Sequence, residues 1–203
     1  MDQTKITLSE KELQLVVNSD WILTKNRIIQ KVKQLLERLQ QQQADLLDSC
    51  RDQLPVEIFS ISPKISKGEN YKGLPYLILD QPRFFDQANA FAIRTMFWWG
   101  NFFSVTLHLS GRFKQEFEPK LARAYPLLTD TDSYYCIQSD PWDHDFEKTN
   151  YQPVKMIDAE KFGNDLIGRP FIKIASHWKL ENWDKMEASL YRYYKNLIGI
   201  LVK

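Results

Sequence analysis

The chain is predicted to fold as an α+β domain: an antiparallel sheet of about five or six strands, with a long N-terminal helix, short helices and a C-terminal helix packed on it. Three observations lead there. A stripe of apolar residues at helical spacing runs from Ile28 to Cys50. Segments alternating with period two then fill the middle of the chain. No regular strand–helix alternation follows that would build a doubly wound parallel sheet. With 203 residues the chain has the length of one domain and enough material for a sizeable core. Its expected parts are a helical region over 9–50, a sheet-rich region over 54–178 and a C-terminal helix over 181–201.

Ser9 and Glu12 stand at capping-box spacing and open a short helix bearing Leu13, Val16 and Val17. Asp20 can cap the long helix, whose stripe is Ile28, Ile29, Val32, Leu35, Leu36, Leu39, Leu46, Leu47 and Cys50. The polar run Gln40 to Gln43 interrupts it and is expected to stay wet, with Lys25 and Lys33. Thirty residues of helix extend about 45 Å, more than a small domain's width. One end is therefore expected to project or to meet a second copy of the chain.

Leu54-Pro55 ends the helical region. Val56, Ile58 and Ser60 alternate with Glu57, Phe59 and Ile61, which reads as a strand, and residues 62–73 read as a mobile loop. Leu74 to Leu79 is the next strand. Residues 89–99 and 102–109 form a hairpin turning at Gly100-Asn101, residues that tolerate positive φ. Phe113, Phe117, Leu121 and Tyr125 mark an interrupted helical stretch, residues 133–138 a short strand, and Asp158 the cap of a short helix with Phe162 and Leu166. Phe171 to Trp178 is the last strand, and Trp183, Met186, Leu190, Tyr194, Leu197 and Leu201 line the C-terminal helix.

Hydrophobic residues at 43%, charged residues at 26% and only 7 Gly and 9 Pro exclude collagen-like, disordered and disulfide-scaffold classes. A net charge of +1 supplies no bulk field for nucleic acid or an anionic membrane, so neither partner is expected. Cys50 and Cys136 have no CxxC or Cys/His neighbours, so they read as reduced, packed thiols. The opening MDQTKITLSE has no apolar run, and no apolar stretch approaches the ~18 residues of a membrane span. The expected location is the cytoplasm.

The hairpin is where the sequence says most. Residues 84–103 contain eight aromatics. A two-residue turn pairs 99 with 102, 97 with 104, 95 with 106 and 93 with 108, and paired residues share a face. Trp98, Phe103, Met96, Val105, Arg94 and Leu107 then form a core face. Trp99, Phe102, Phe97, Ser104, Thr95, Thr106 and His108 form a second face of graded polarity, suited to lining a pocket. An odd slip of register would undo both sets. Arg94, among apolar neighbours, must find a carboxylate, several carbonyls or a ligand anion, because an unpaired buried guanidinium is very costly. His177 and Lys173 could join His108 if the last strand neighbours the hairpin.

Asp130, Asp132, Asp140, Asp143, Asp145 and Glu147 offer hard oxygen ligands, but their spacing is not that of an EF-hand loop, and short Asp-rich loops are ordinary turns and caps. No metal site and no cofactor is expected. Lys64, Lys67, Gly68, Lys72 and Gly73 precede a strand, whereas a phosphate loop would precede a helix. No GxSxG, HExxH, Walker or GxGxxG motif is present. Two functions are expected to compete. One is a non-enzymatic small-molecule-binding or interaction module built on Arg94, Thr95, Phe97, Trp99, Phe102, Thr106, His108 and His177. The other is a hydrolase or transferase using His108 or His177, with Arg94 or the Asp-rich loop holding substrate or metal.

Overall fold

A computed structural model describes residues 6–202; residues 1–5, half of the opening stretch MDQTKITLSE, lie outside them. The elements run α1 (Glu10–Val17), α2 (Ser19–Ser49), β1 (Lys64–Tyr71), β2 (Leu74–Phe85), β3 (Ala90–Trp98), β4 (Phe102–Ser110), α3 (Gly111–Arg123), α4 (Tyr125–Asp130), β5 (Tyr134–Cys136), β6 (Tyr151–Pro153), α5 (Ala159–Ile167), β7 (Phe171–Lys179) and α6 (Met186–Val202). The sheet is antiparallel, as expected, with seven strands in the order β1-β2-β3-β4-β7-β5-β6.

The helices lie on one face of that sheet. Val32, Leu35, Leu36 and Leu39 of α2, Phe113 and Phe117 of α3, and Leu190, Tyr194 and Leu197 of α6 form one cluster with Leu77, Leu79, Phe91, Ile93, Phe103, Val105, Leu107, Leu109, Ile172 and Ile174 from the strands. Each such side chain contributes up to about 1.5 to 3 kcal/mol by leaving water. The Ser9 capping box opens α1 as expected, while Asn18 rather than Asp20 caps α2. Gln43 is buried, contrary to its expected exposure. It stands between Leu39 and Leu47 at four-residue steps, so helical geometry points it at the core.

Two segments exchange their expected roles. Residues Val56–Phe59 form a 3-10 turn rather than a strand, because Pro55 leads into a turn that buries Ile58. The expected loop 62–73 instead contains β1, which pairs only with β2 through a turn at Lys72 and Gly73, both at positive φ. Positive φ at both positions matches the twist of a two-residue hairpin. Its Lys64, Lys67 and Glu69 are the charges of an edge strand, which resemble loop composition when read in one dimension.

The largest correction concerns the hairpin. Trp98 pairs with Phe102, Phe97 with Phe103, Thr95 with Val105, Arg94 with Thr106 and Ala92 with His108. The turn therefore has three residues, Trp99, Gly100 and Asn101, with Gly100 at φ +71°. Trp99 is drawn out of the turn because its amide donates to the Pro75 carbonyl at 3.0 Å. One extra residue reverses the parity of the pairing. Thr95 and Phe97 consequently face the helices with Phe103, Val105 and Leu107, while Arg94, Met96 and Trp98 share the opposite face with Phe102, Ser104, Thr106 and His108. Trp99 is half-buried at the helix-side margin, against Phe97.

Among the described residues no helix is long and apolar enough to cross a membrane.

Candidate functional site

The face turned away from the helices carries the chemistry. The register places β7 beside β4, with His108 opposite Lys173, Thr106 opposite Ala175 and Ser104 opposite His177. Across β3 the same face continues with Arg94 opposite Asp80 on β2. Residues 138–150, which have no regular structure, run over this face as a strap, and their side chains close it.

The strap is held by ions and rings. Arg94 donates to both carboxylate oxygens of Asp80, at 2.7 and 2.9 Å, and its third contact is the His144 Nε2 at 2.8 Å. An arginine can only donate, so His144 accepts at Nε2 and carries its proton on Nδ1. The Tyr71 hydroxyl bonds Asp143, and Lys72 bonds Asp143 and Asp145. Against the cost of burial, Tyr71 and Lys72 hold the Asp143 carboxyl well below its usual range. Phe146 stacks on Tyr151 at 4.7 Å and lies 4.2 Å from the His177 ring.

Lys173 is the exceptional group. It is only 1% exposed, and its ammonium donates to the Asp143 backbone carbonyl, with no carboxylate bonded to it among the described residues. Burial first, and then the repulsion of Arg94, bring its pKa down to about 8, so it remains mostly charged at neutral pH. His108 stands across from it and feels that charge. Burial, then Lys173, then Arg94 push the imidazole down to about 4. It is neutral at pH 7 and has no hydrogen-bond partner among the described residues.

His108 opens into a cleft of about 300 Å³. Phe85, Trp142 and Phe171 wall it, with ring centroids 6.2, 5.9 and 5.7 Å from the imidazole. Its rim is the turn from Asp86 to Asn89 together with Ser110, the residue before α3. Gly111 there adopts φ +56°, and a Cβ would strike Ala88 O and the Asn89 side chain. That close approach lets Asn89 Oδ1 accept from the Arg112 amide at 2.9 Å. The Asp86 carboxylate on the wall is already engaged by the Ala88 and Asn89 amides and the Asn89 side chain.

His177 shares the sheet face with His108 but not the cleft. The two lie four residues apart along the strands, about 13 Å. His177 borders a separate groove of about 480 Å³ with Asp132, Ser176, Ser189, Arg192 and Asn196. Its Nδ1 is buried without a partner among the described residues, and burial lowers its pKa.

The structure thus brings together Arg94, Thr106 and His108, and sets Phe102 apart from them, at the other end of the same face against the His177 ring, 5.5 Å between centroids. It leaves Thr95 and Phe97 on the helix side, with Trp99 at that side's margin. Asp80, Trp142, His144, Phe85 and Phe171 were not singled out as site residues. Asp140-Pro-Trp-Asp-His-Asp145 contains two of them, but an acidic loop reads as a turn or a ligand set until its docking face is known. Among the described residues no three His, Cys, Asp or Glu side chains converge as a metal set, and no imidazole is bonded to a carboxylate. No family model, no curated protein and no solved structure matches the chain.

Proposed function

We propose that this chain is a non-enzymatic binding module whose ligand is a small aromatic carboxylate seated in the cleft at His108. The observation that carries the reading is His108 itself: an unpartnered, neutral imidazole between three rings, backed by the buried Lys173 ammonium. A neutral ring always offers one N–H, and the positive field of Lys173 and Arg94 favours an anionic acceptor there. The rings supply apolar contact, and 300 Å³ is at the small end of ligand pockets. Two buried free thiols, Cys50 and Cys136, suit a reducing compartment, in keeping with a cytoplasmic location.

The hydrolase or transferase reading finds less support. A general base works best with a pKa near the operating pH and an orienting partner, and His108 has neither. His144 is occupied by Arg94, and Asp143 and Asp145 by Lys72. Calorimetric titration with benzoate, phenylacetate and indole-3-acetate tests the proposal. At least one should bind with a dissociation constant under about 1 mM, and His108→Ala should weaken it about tenfold. Failure of all three to bind, or equal binding by His108→Ala, overturns it.

A further inference from the structure

Apart from the cleft, the most unusual surface is the N-terminal arm. Helix α1 buries nothing. Leu13 is 52% exposed, Val16 70% and Val17 74%, and Trp21 and Leu23 at the start of α2 are also open to water. The arm is a formed structure. The capping box closes its first turn, and the Trp21 indole donates to the Leu15 carbonyl at 2.9 Å, fixing α1 against α2. Its apolar side chains leave on the order of several hundred Å² in water, a patch of the size that marks an interaction site. Two such arms in one interface approach the ~800 Å² per partner of a stable dimer.

Charge identifies the occupant. Glu10 and Glu12 stand in the first turn of α1, and neither meets a cation among the described residues. Farther along the same chain, the outer face of α2 carries a shallow groove of about 540 Å³ lined by Leu23, Asn26, Arg27, Gln30, Lys31 and Gln34. Arg27 bonds only the Thr24 hydroxyl, and Lys31 has no ion pair among the described residues. Acid and base are thus both unmatched, on separate parts of one chain. Eight residues of helix span about 12 Å, and the groove's twelve residues about 18 Å, so an arm fits along it. A two-fold axis satisfies both arms at once, because residue i meets j and j meets i.

We propose that two copies of this chain exchange α1 arms. Each arm lies antiparallel in the α2 groove of the other copy, with Leu13, Val16 and Val17 against Leu23 and with Glu10 beside Arg27 and Lys31. This is independent of ligand binding at His108.

Sedimentation equilibrium of the full chain at micromolar concentration should give twice the 24.1 kDa chain mass. Leu13→Glu with Val16→Glu should return the monomer with an unchanged circular dichroism spectrum, since neither side chain is buried. Glu10→Lys should weaken the dimer roughly tenfold, and adding Lys31→Glu should restore it. A wild-type monomer overturns the proposal, including one that co-sediments with phosphatidylserine vesicles. So does a dimer indifferent to the Leu13 and Val16 changes, or a Glu10→Lys defect that Lys31→Glu does not rescue.

Discussion

Arg94 illustrates how far one residue can be read without its neighbours. A guanidinium on a strand flanked by Ala92 and Met96 demands an anion, and the structure supplies Asp80, bidentate and almost wholly buried. The demand was legible; the partner was not, because Asp80 lies on another strand and His144 on the strap. Arg94→Ala leaves the Asp80 carboxylate buried and unpaired, so it should cost about 3 kcal/mol or more, read as a lowered urea midpoint. An unchanged midpoint contradicts the pairing. His108 makes a prediction about pH. Its folded pKa of about 4 lies below the ordinary 6.5, so folding favours the neutral ring. That stabilisation is full above pH 6.5 and is lost as pH falls towards 4. His144 and His177 shift in the same direction, while Lys173 and Arg94 are the charges facing His108. Between pH 7 and 4.5 the wild type should therefore lose about 2 to 3 kcal/mol more stability than His108→Phe. Parallel pH profiles would contradict the buried neutral ring.

At the scale of elements, composition and periodicity reported the helices well and the sheet's turns poorly. The α2 stripe, the Ser9 and Asp158 caps and the β7 strand follow from local chemistry: apolar spacing, side-chain oxygens and β-branched residues. Turn length is different, since two and three residues at Gly100 differ by little locally yet invert every side chain of β4 relative to β3. The amide of Trp99 decides it by bonding Pro75, a contact no local pattern encodes. Edge strand β1 was hidden because its charges suit a loop equally well. Gly111 gives the element-scale prediction. A Cβ there is strained at φ +56° and strikes Ala88 and Asn89, displacing the bond to the α3 amide. Gly111→Ala should cost about 1 to 3 kcal/mol in thermal or chemical unfolding. A variant as stable as wild type would contradict the tight approach of the 86–89 turn to α3.

For the whole molecule, the sheet separates two environments. One face meets α2, α3 and α6 and is dry; the other is closed by a strap of acidic and aromatic residues that touches β1, β2, β3, β4 and β7. Helix packing was visible in the sequence as stripes. The strap was not, because its contacts join residues 71–72, 94, 108, 173 and 177 to 142–146, and none of these separations leaves a periodic trace. The same closure puts Trp142 on the cleft wall, so its fluorescence should respond to an occupant of the cleft, whereas Trp99 lies at the helix-side margin. The central claim is that the cleft at His108 takes a small aromatic carboxylate, and nuclear magnetic resonance tests it most directly. The chain has three histidines, so a ¹⁵N-histidine-labelled sample gives three imidazoles to follow while phenylacetate is added. A saturable shift centred on His108, with His177 unmoved, is the expected result. No shift at any imidazole, or one centred on His177, would contradict it.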